Sequence, residues 1–123
     1  MIKNLVFDLG NVLIEWNSEK ILTYFEPENE RRQALKQAIF ESGIWHKTDK
    51  GELSLKEACE EVLAQLDASY HSAIKNTFYH WYEVVQVYSG LQERIRLWAN
   101  QGYHIYILST TCEIFYHIEK YIF

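Results

Sequence analysis

The sequence predicts an α/β protein, a parallel sheet whose first two strands are separated by a large all-helical insertion. Three observations predict it. The apolar run Leu5-Val6-Phe7 in "IKNLVF" stops abruptly on Asp8, the pattern of a short strand buried on both faces. A second short run, "YHIYIL" at residues 103–108, has the aromatic and β-branched content of a strand and follows a helical stretch that ends at Gly102. Between Phe7 and Tyr103 lie about 95 residues of almost wholly helical pattern, where a plain crossover needs about a dozen.

The elements follow in order. After the first strand, Leu9-Gly10-Asn11 makes a turn. From Ser18 the apolar spacing becomes helical, with Ile21, Leu22, Tyr24 and Phe25 on one short segment. Pro27 opens a second helix that runs through "ERRQALKQAIFES" to Gly43, a C-terminal stop. The stretch "IWHKTDKGELS" reads as a loop. Ser54 and Glu57 then have the spacing of a capping box for "LKEACEEVLAQL". A further helix is expected over roughly Tyr70–Val87. Its block "FYHWY" is too wide for one helix face, so it is expected to pack partly in the core and partly toward the cleft or a partner. Ser89 and Gln92 offer a second capping box for "LQERIRLWANQG". A last helix is expected over about Glu113–Ile122. The insertion, residues 15–88, amounts to a small helical domain, and residues 1–14 and 89–123 form the sheet-bearing core.

Composition narrows the function classes. The chain has 123 residues, 48% hydrophobic and 24% charged, with one proline and five glycines, which is the balance of an ordered globular domain. A net charge of −5 with no basic cluster argues against nucleic acid as the main partner. No apolar run approaches the roughly 18 residues of a membrane span. Cys59 and Cys112 lack a CxxC spacing and follow no signal peptide, so they read as reduced thiols of a cytoplasmic protein. The five histidines (46, 71, 80, 104 and 117) show no metal-ligand spacing.

Ligands of open α/β sheets bind outside the carboxyl ends of the strands. The first strand delivers Asp8 to that edge, with Gly10 keeping side chains clear of the turn. The second delivers Ser109 and Thr110, hydroxyls able to bind a phosphoryl oxygen. Asp-x-Gly is a common turn and Ser-Thr-Thr a common helix start. Together, at two strand ends flanking a helical insertion, they make a constellation for phosphoryl transfer through an aspartyl-phosphate. A divalent metal would offset carboxylate–phosphate repulsion.

"LVFDLGNVLIEW" resembles the first motif of the haloacid dehalogenase-like (HAD) hydrolases, and "HIYILSTT" resembles their second. The helical insertion lies where that family carries its helical, C1-type cap. "GIWHKTDKGELSLKEA" is similar to the cap of the Asp-Leu-Gly-Asn-Val subgroup, which includes bacterial sugar-phosphate phosphatases. The resemblance implies an incomplete Rossmann-like parallel sheet with the cap inserted after the first strand. It implies Asp8 as nucleophile, Mg²⁺ held by Asp8 and the Gly10 carbonyl, and a phosphoryl group bound by Ser109 and Thr110. The substrate it implies is a small phosphorylated metabolite. Trp16, Trp45, His46 and Asp49 are the candidate substrate contacts of the cap.

Two departures accompany the resemblance. Many such phosphatases carry a second aspartate, a general acid, where this chain has Gly10; His46 or Asp49 is the expected substitute. The basic third motif and the acidic fourth motif are also missing before Phe123. The chain therefore reads as the N-terminal part of such an enzyme, truncated after its second motif. The alternatives are a dehalogenase of the same superfamily and a non-catalytic remnant that self-associates, or binds a partner, through an incomplete sheet edge.

Overall fold

A computed structural model of the protein describes residues 3–8 and 14–107. Strand β1 (Asn4–Phe7) pairs in parallel with β2 (His104–Ile107), in a register that sets Asn4 opposite His104 and Phe7 opposite Ile107. Among the described residues six α-helices lie between them: α1 (Ser18–Phe25), α2 (Asn29–Lys36), α3 (Ile44–Asp49), α4 (Leu55–Gln65), α5 (His71–His80) and α6 (Ser89–Asn100). This is the expected α/β arrangement, a small parallel sheet interrupted by a helical insertion.

Both strands alternate. Leu5, Phe7, Ile105 and Ile107 are half-buried, and the Phe7 ring stacks on Trp98 of α6 at 6.0 Å between centroids. Val6 and Tyr106, opposite each other in the register, are 59% and 54% exposed. The expectation of burial on both faces is therefore corrected. Residues of a strand point alternately to the two faces, and here α6 packs against one of them.

Local chemistry sets the helix ends. Asn17 caps α1 by accepting the Lys20 amide at 3.1 Å. Ser54 and Glu57 form the expected capping box of α4. The Glu57 amide donates to Ser54 Oγ at 3.1 Å, and the Ser54 amide donates to Glu57 Oε1 at 3.2 Å. The second expected box does not form. Ser89 is already the first helical residue of α6, and its cap, Tyr88, makes no side-chain cap hydrogen bond among the described residues. Gly102, at φ +98°, takes the left-handed turn that carries the chain from α6 into β2, with the Tyr103 amide on the Trp98 carbonyl at 3.1 Å.

The segment read as a loop at residues 44–49 is helical instead, as α3. Gly43, at φ +89°, ends the wide π-helical turn Gln37–Glu41 that continues α2 and starts α3 in a new direction. Burial of Ile44, Trp45 and Thr48 on one face holds this single turn and a half in place. The long helix expected over Tyr70–Val87 is shorter than read: α5 ends at His80, and a 3₁₀ turn covers Trp81–Glu83.

The main core belongs to the helices. Ile21, Leu35, Ile39, Ala58, Val62, Ile74 and Phe78 have no solvent exposure at all. The chain enters and leaves these helices side by side. Ile14 and Val87 form an isolated antiparallel bridge, and the Glu15 amide donates to the Gln86 carbonyl at 2.8 Å.

Candidate active site

β1 ends at Phe7, so Asp8 is the first residue past the strand, exposed at the carboxyl edge of the sheet. Because Phe7 is level with Ile107, β2 ends at the same edge. Gly10, Ser109 and Thr110 lie outside the described residues. Asp8 alone represents the expected phosphate and metal constellation among the described residues. Its carboxylate is a hard oxygen donor of the kind Mg²⁺ takes. No group of three or more His, Cys, Asp or Glu able to hold a metal ion occurs among the described residues.

The four cap candidates separate into two pairs. Trp16 and Trp45 stack on each other at 5.3 Å between centroids. Trp16 is half-buried and also meets Trp81 edge-on at 5.0 Å. Trp45 lies in α3 rather than in a loop. It is buried, with its ring against Phe40 at 5.1 Å and Phe78 at 5.4 Å. The structure therefore places Trp45 in the core and leaves Trp16, two residues before α1, partly exposed at the edge of the aromatic cluster. The block "FYHWY" divides as its width required: Phe78 and Trp81 are buried, Tyr79 and Tyr82 half-buried, and His80 is exposed with Nδ1 3.0 Å from Glu83. The Trp81 indole nitrogen is buried with no hydrogen-bond partner among the described residues, a feature the sequence could not announce.

His46 and Asp49 stand three residues apart on α3, which puts them on one side of the helix. His46 is exposed and Asp49 half-buried. Burial pushes the Asp49 carboxyl up from its ordinary 3.8 to about 6, and the nearby His46 opposes part of that rise. A carboxyl with this affinity for its proton can exchange it close to neutral pH.

One group escaped the sequence reading. The Glu15 carboxylate accepts the Gln86 amide at 3.0 Å and Lys20 Nζ at 2.8 Å. Those two bonds hold the carboxyl below the usual range, the one to Lys20 more than the one to Gln86. The acid–lysine spacing of five was visible in the sequence; the partner 71 positions away was not.

No protein-family model matches the sequence, and no curated protein does. Three crystal structures of a HAD family enzyme from Bacteroides thetaiotaomicron do match in fold. The wild type in complex with magnesium and inorganic phosphate is 23% identical and gives a TM-score of 0.64, covering 95% of this chain and 57% of that one. A second structure of that enzyme, at 22% identity, and an aspartate-to-alanine mutant with magnesium and phosphate, at 20%, both give 0.62. The chain has the fold of a HAD family enzyme. It spans 57% of the length of the first of these relatives. A small parallel sheet interrupted by a helical insertion is consistent with that fold and its helical cap. Among the described residues no helix is long and apolar enough to cross a membrane.

Proposed function

We propose that the chain is the nucleophile-bearing part of a HAD-like hydrolase that removes phosphate from small phosphate monoesters. The observation that carries the reading is Asp8, exposed at the carboxyl end of the first strand of a HAD fold. The magnesium and phosphate bound in the matching enzyme support the choice of phosphoryl chemistry over dehalogenation.

In this reading an Asp8 oxygen attacks phosphorus, the ester oxygen leaves, and water later hydrolyses the aspartyl-phosphate. Asp8 and the Gly10 carbonyl would hold Mg²⁺, which when bound neutralises phosphate charge. Ser109 and Thr110 would hold the phosphoryl oxygens. The proton that the leaving group needs is assigned to Asp49 or His46, since position 10 is glycine. Closure of the helical cap would keep bulk water out.

The test is hydrolysis of an aryl phosphate by the native full-length gene product in Mg²⁺. Activity that Asp8→Asn and chelation each abolish is the expected result; activity that survives Asp8→Asn overturns it. Unchanged rate and pH profile in the pair Asp49→Asn and His46→Ala would remove only the proton-donor assignment. A second reading, self-association through the sheet, is favoured by the exposed pair Val6 and Tyr106. It predicts a concentration-dependent dimer and no activity.

A further inference from the structure

We propose that the cleft between α4 and α5 is a binding site for a small organic anion, separate from the Asp8 edge. The cleft has a volume of about 510 Å³, inside the range of roughly 300–1,000 Å³ typical of small-molecule sites. One wall is a single stripe of α4, with Lys56, Cys59, Glu60 and Leu63 at helical spacing. The other is the facing stripe of α5, including Lys75, Asn76 and Tyr79. None of these residues belongs to β1, β2 or the linkers.

The charge of the site follows from its lining. Lys56 and Lys75 approach from opposite walls, and neither is in an ion pair among the described residues. Glu60 is the one carboxylate of the lining. The Cys59 thiol, buried at 4% exposure, senses both signs from the side. Burial raises its pKa, Lys75 pulls it down, and Glu60 pushes it up by less than Lys75 pulls. At Cys59, then, the Lys75 ammonium outweighs the Glu60 carboxylate. The chain as a whole carries a net charge of −5. Leu63 and Tyr79 supply apolar surface for a carbon body, and Asn76 an amide donor. A phosphate and a carboxylate head share the chemistry these groups recognise: two cations and one amide donor around a small anion.

The test is a titration of the chain in chelator, without Mg²⁺, followed by backbone amide shifts. The probes are phenyl phosphate, benzoate, inorganic phosphate and the neutral benzyl alcohol. The expected result is saturable shifts centred on residues 56–63 and 72–80 with phenyl phosphate, benzoate or both, weakened by added salt. Which of the two binds more tightly identifies the head group. The doubly substituted Lys56→Gln, Lys75→Gln should bind at least tenfold more weakly while keeping the helical circular dichroism of the parent, because both side chains lie on exposed helix positions. Shifts scattered over the whole surface, equal binding of benzyl alcohol, or affinity indifferent to both lysines would each overturn the proposal. Inorganic phosphate binding as tightly as phenyl phosphate would overturn the role given to Leu63 and Tyr79.

Discussion

Asp49 gives the fold a pH dependence opposite to that of most carboxylates. Its carboxyl rises from 3.8 to about 6 because burial disfavours the charged form. Unfolding releases that penalty. Below pH 3.8 the group is protonated in both states and has no effect. Between there and about 6 the unfolded chain ionises first, and stability falls as pH rises, reaching a plateau above the folded value. About two units at about 1.36 kcal/mol per unit set a ceiling of about 3 kcal/mol. Asp49 keeps part of its surface in water, which screens it, so the expected effect is about 1–2 kcal/mol. Asp49→Asn removes the ionisable group and keeps the shape. Urea unfolding should show the variant more stable than the parent by about 1–2 kcal/mol at pH 8, and within about 0.5 kcal/mol at pH 4. A gain equal at both pH values would mean that the amide packs better for reasons unrelated to charge. A parent more stable at pH 8 would mean that the carboxylate is held by donors, and either outcome refutes the argument.

Further outcomes follow from the packing and the caps. Phe78→Ala, at a residue with no exposure and a ring against Trp45, should cost about 3–5 kcal/mol in the same unfolding assay. Ser54→Ala removes one arm of the capping box and should cost about 1 kcal/mol, whereas Ser89→Ala, where no side-chain cap bond exists, should stay within about 0.5 kcal/mol. Glu15→Ala should speed hydrogen exchange at the Gln86 amide, which loses its acceptor, and leave exchange in α4 unchanged.

The fold was legible where the cause is local. The apolar runs ending at Asp8 and Leu108 announced the two strands, and the capping box at Ser54 follows from residues three apart. α3 was missed because its six residues carry no periodic apolar signal; Ile44, Trp45 and Thr48 are helical because the core pulls them inward. Ser89 misled because capping depends on where the helix begins, and Tyr88 sets that point one residue earlier. For the site, Asp8 could be placed from the sequence because a strand end fixes its own edge. Trp45 could not be, since a tryptophan in a segment that reads as a loop suits a cleft contact and a core ring equally well. The raised Asp49 carboxyl and the Glu15–Gln86 tie depend on burial and on long-range neighbours, which no spacing encodes.

The bridge between Ile14 and Val87 also bears on how such a chain can change. Everything between these two residues is, entropically, one loop already closed at its base. Doubling the length of a loop adds only about 0.6 kcal/mol to the cost of closing it. The sheet is thus nearly indifferent to how large a body grows from that point. Insertions or deletions between Glu15 and Gln86 are expected to cost the sheet little as long as the altered body buries its own apolar face. A substitution that opens the bridge removes that independence at once, because the two parts then lose the closure that lets each vary without the other.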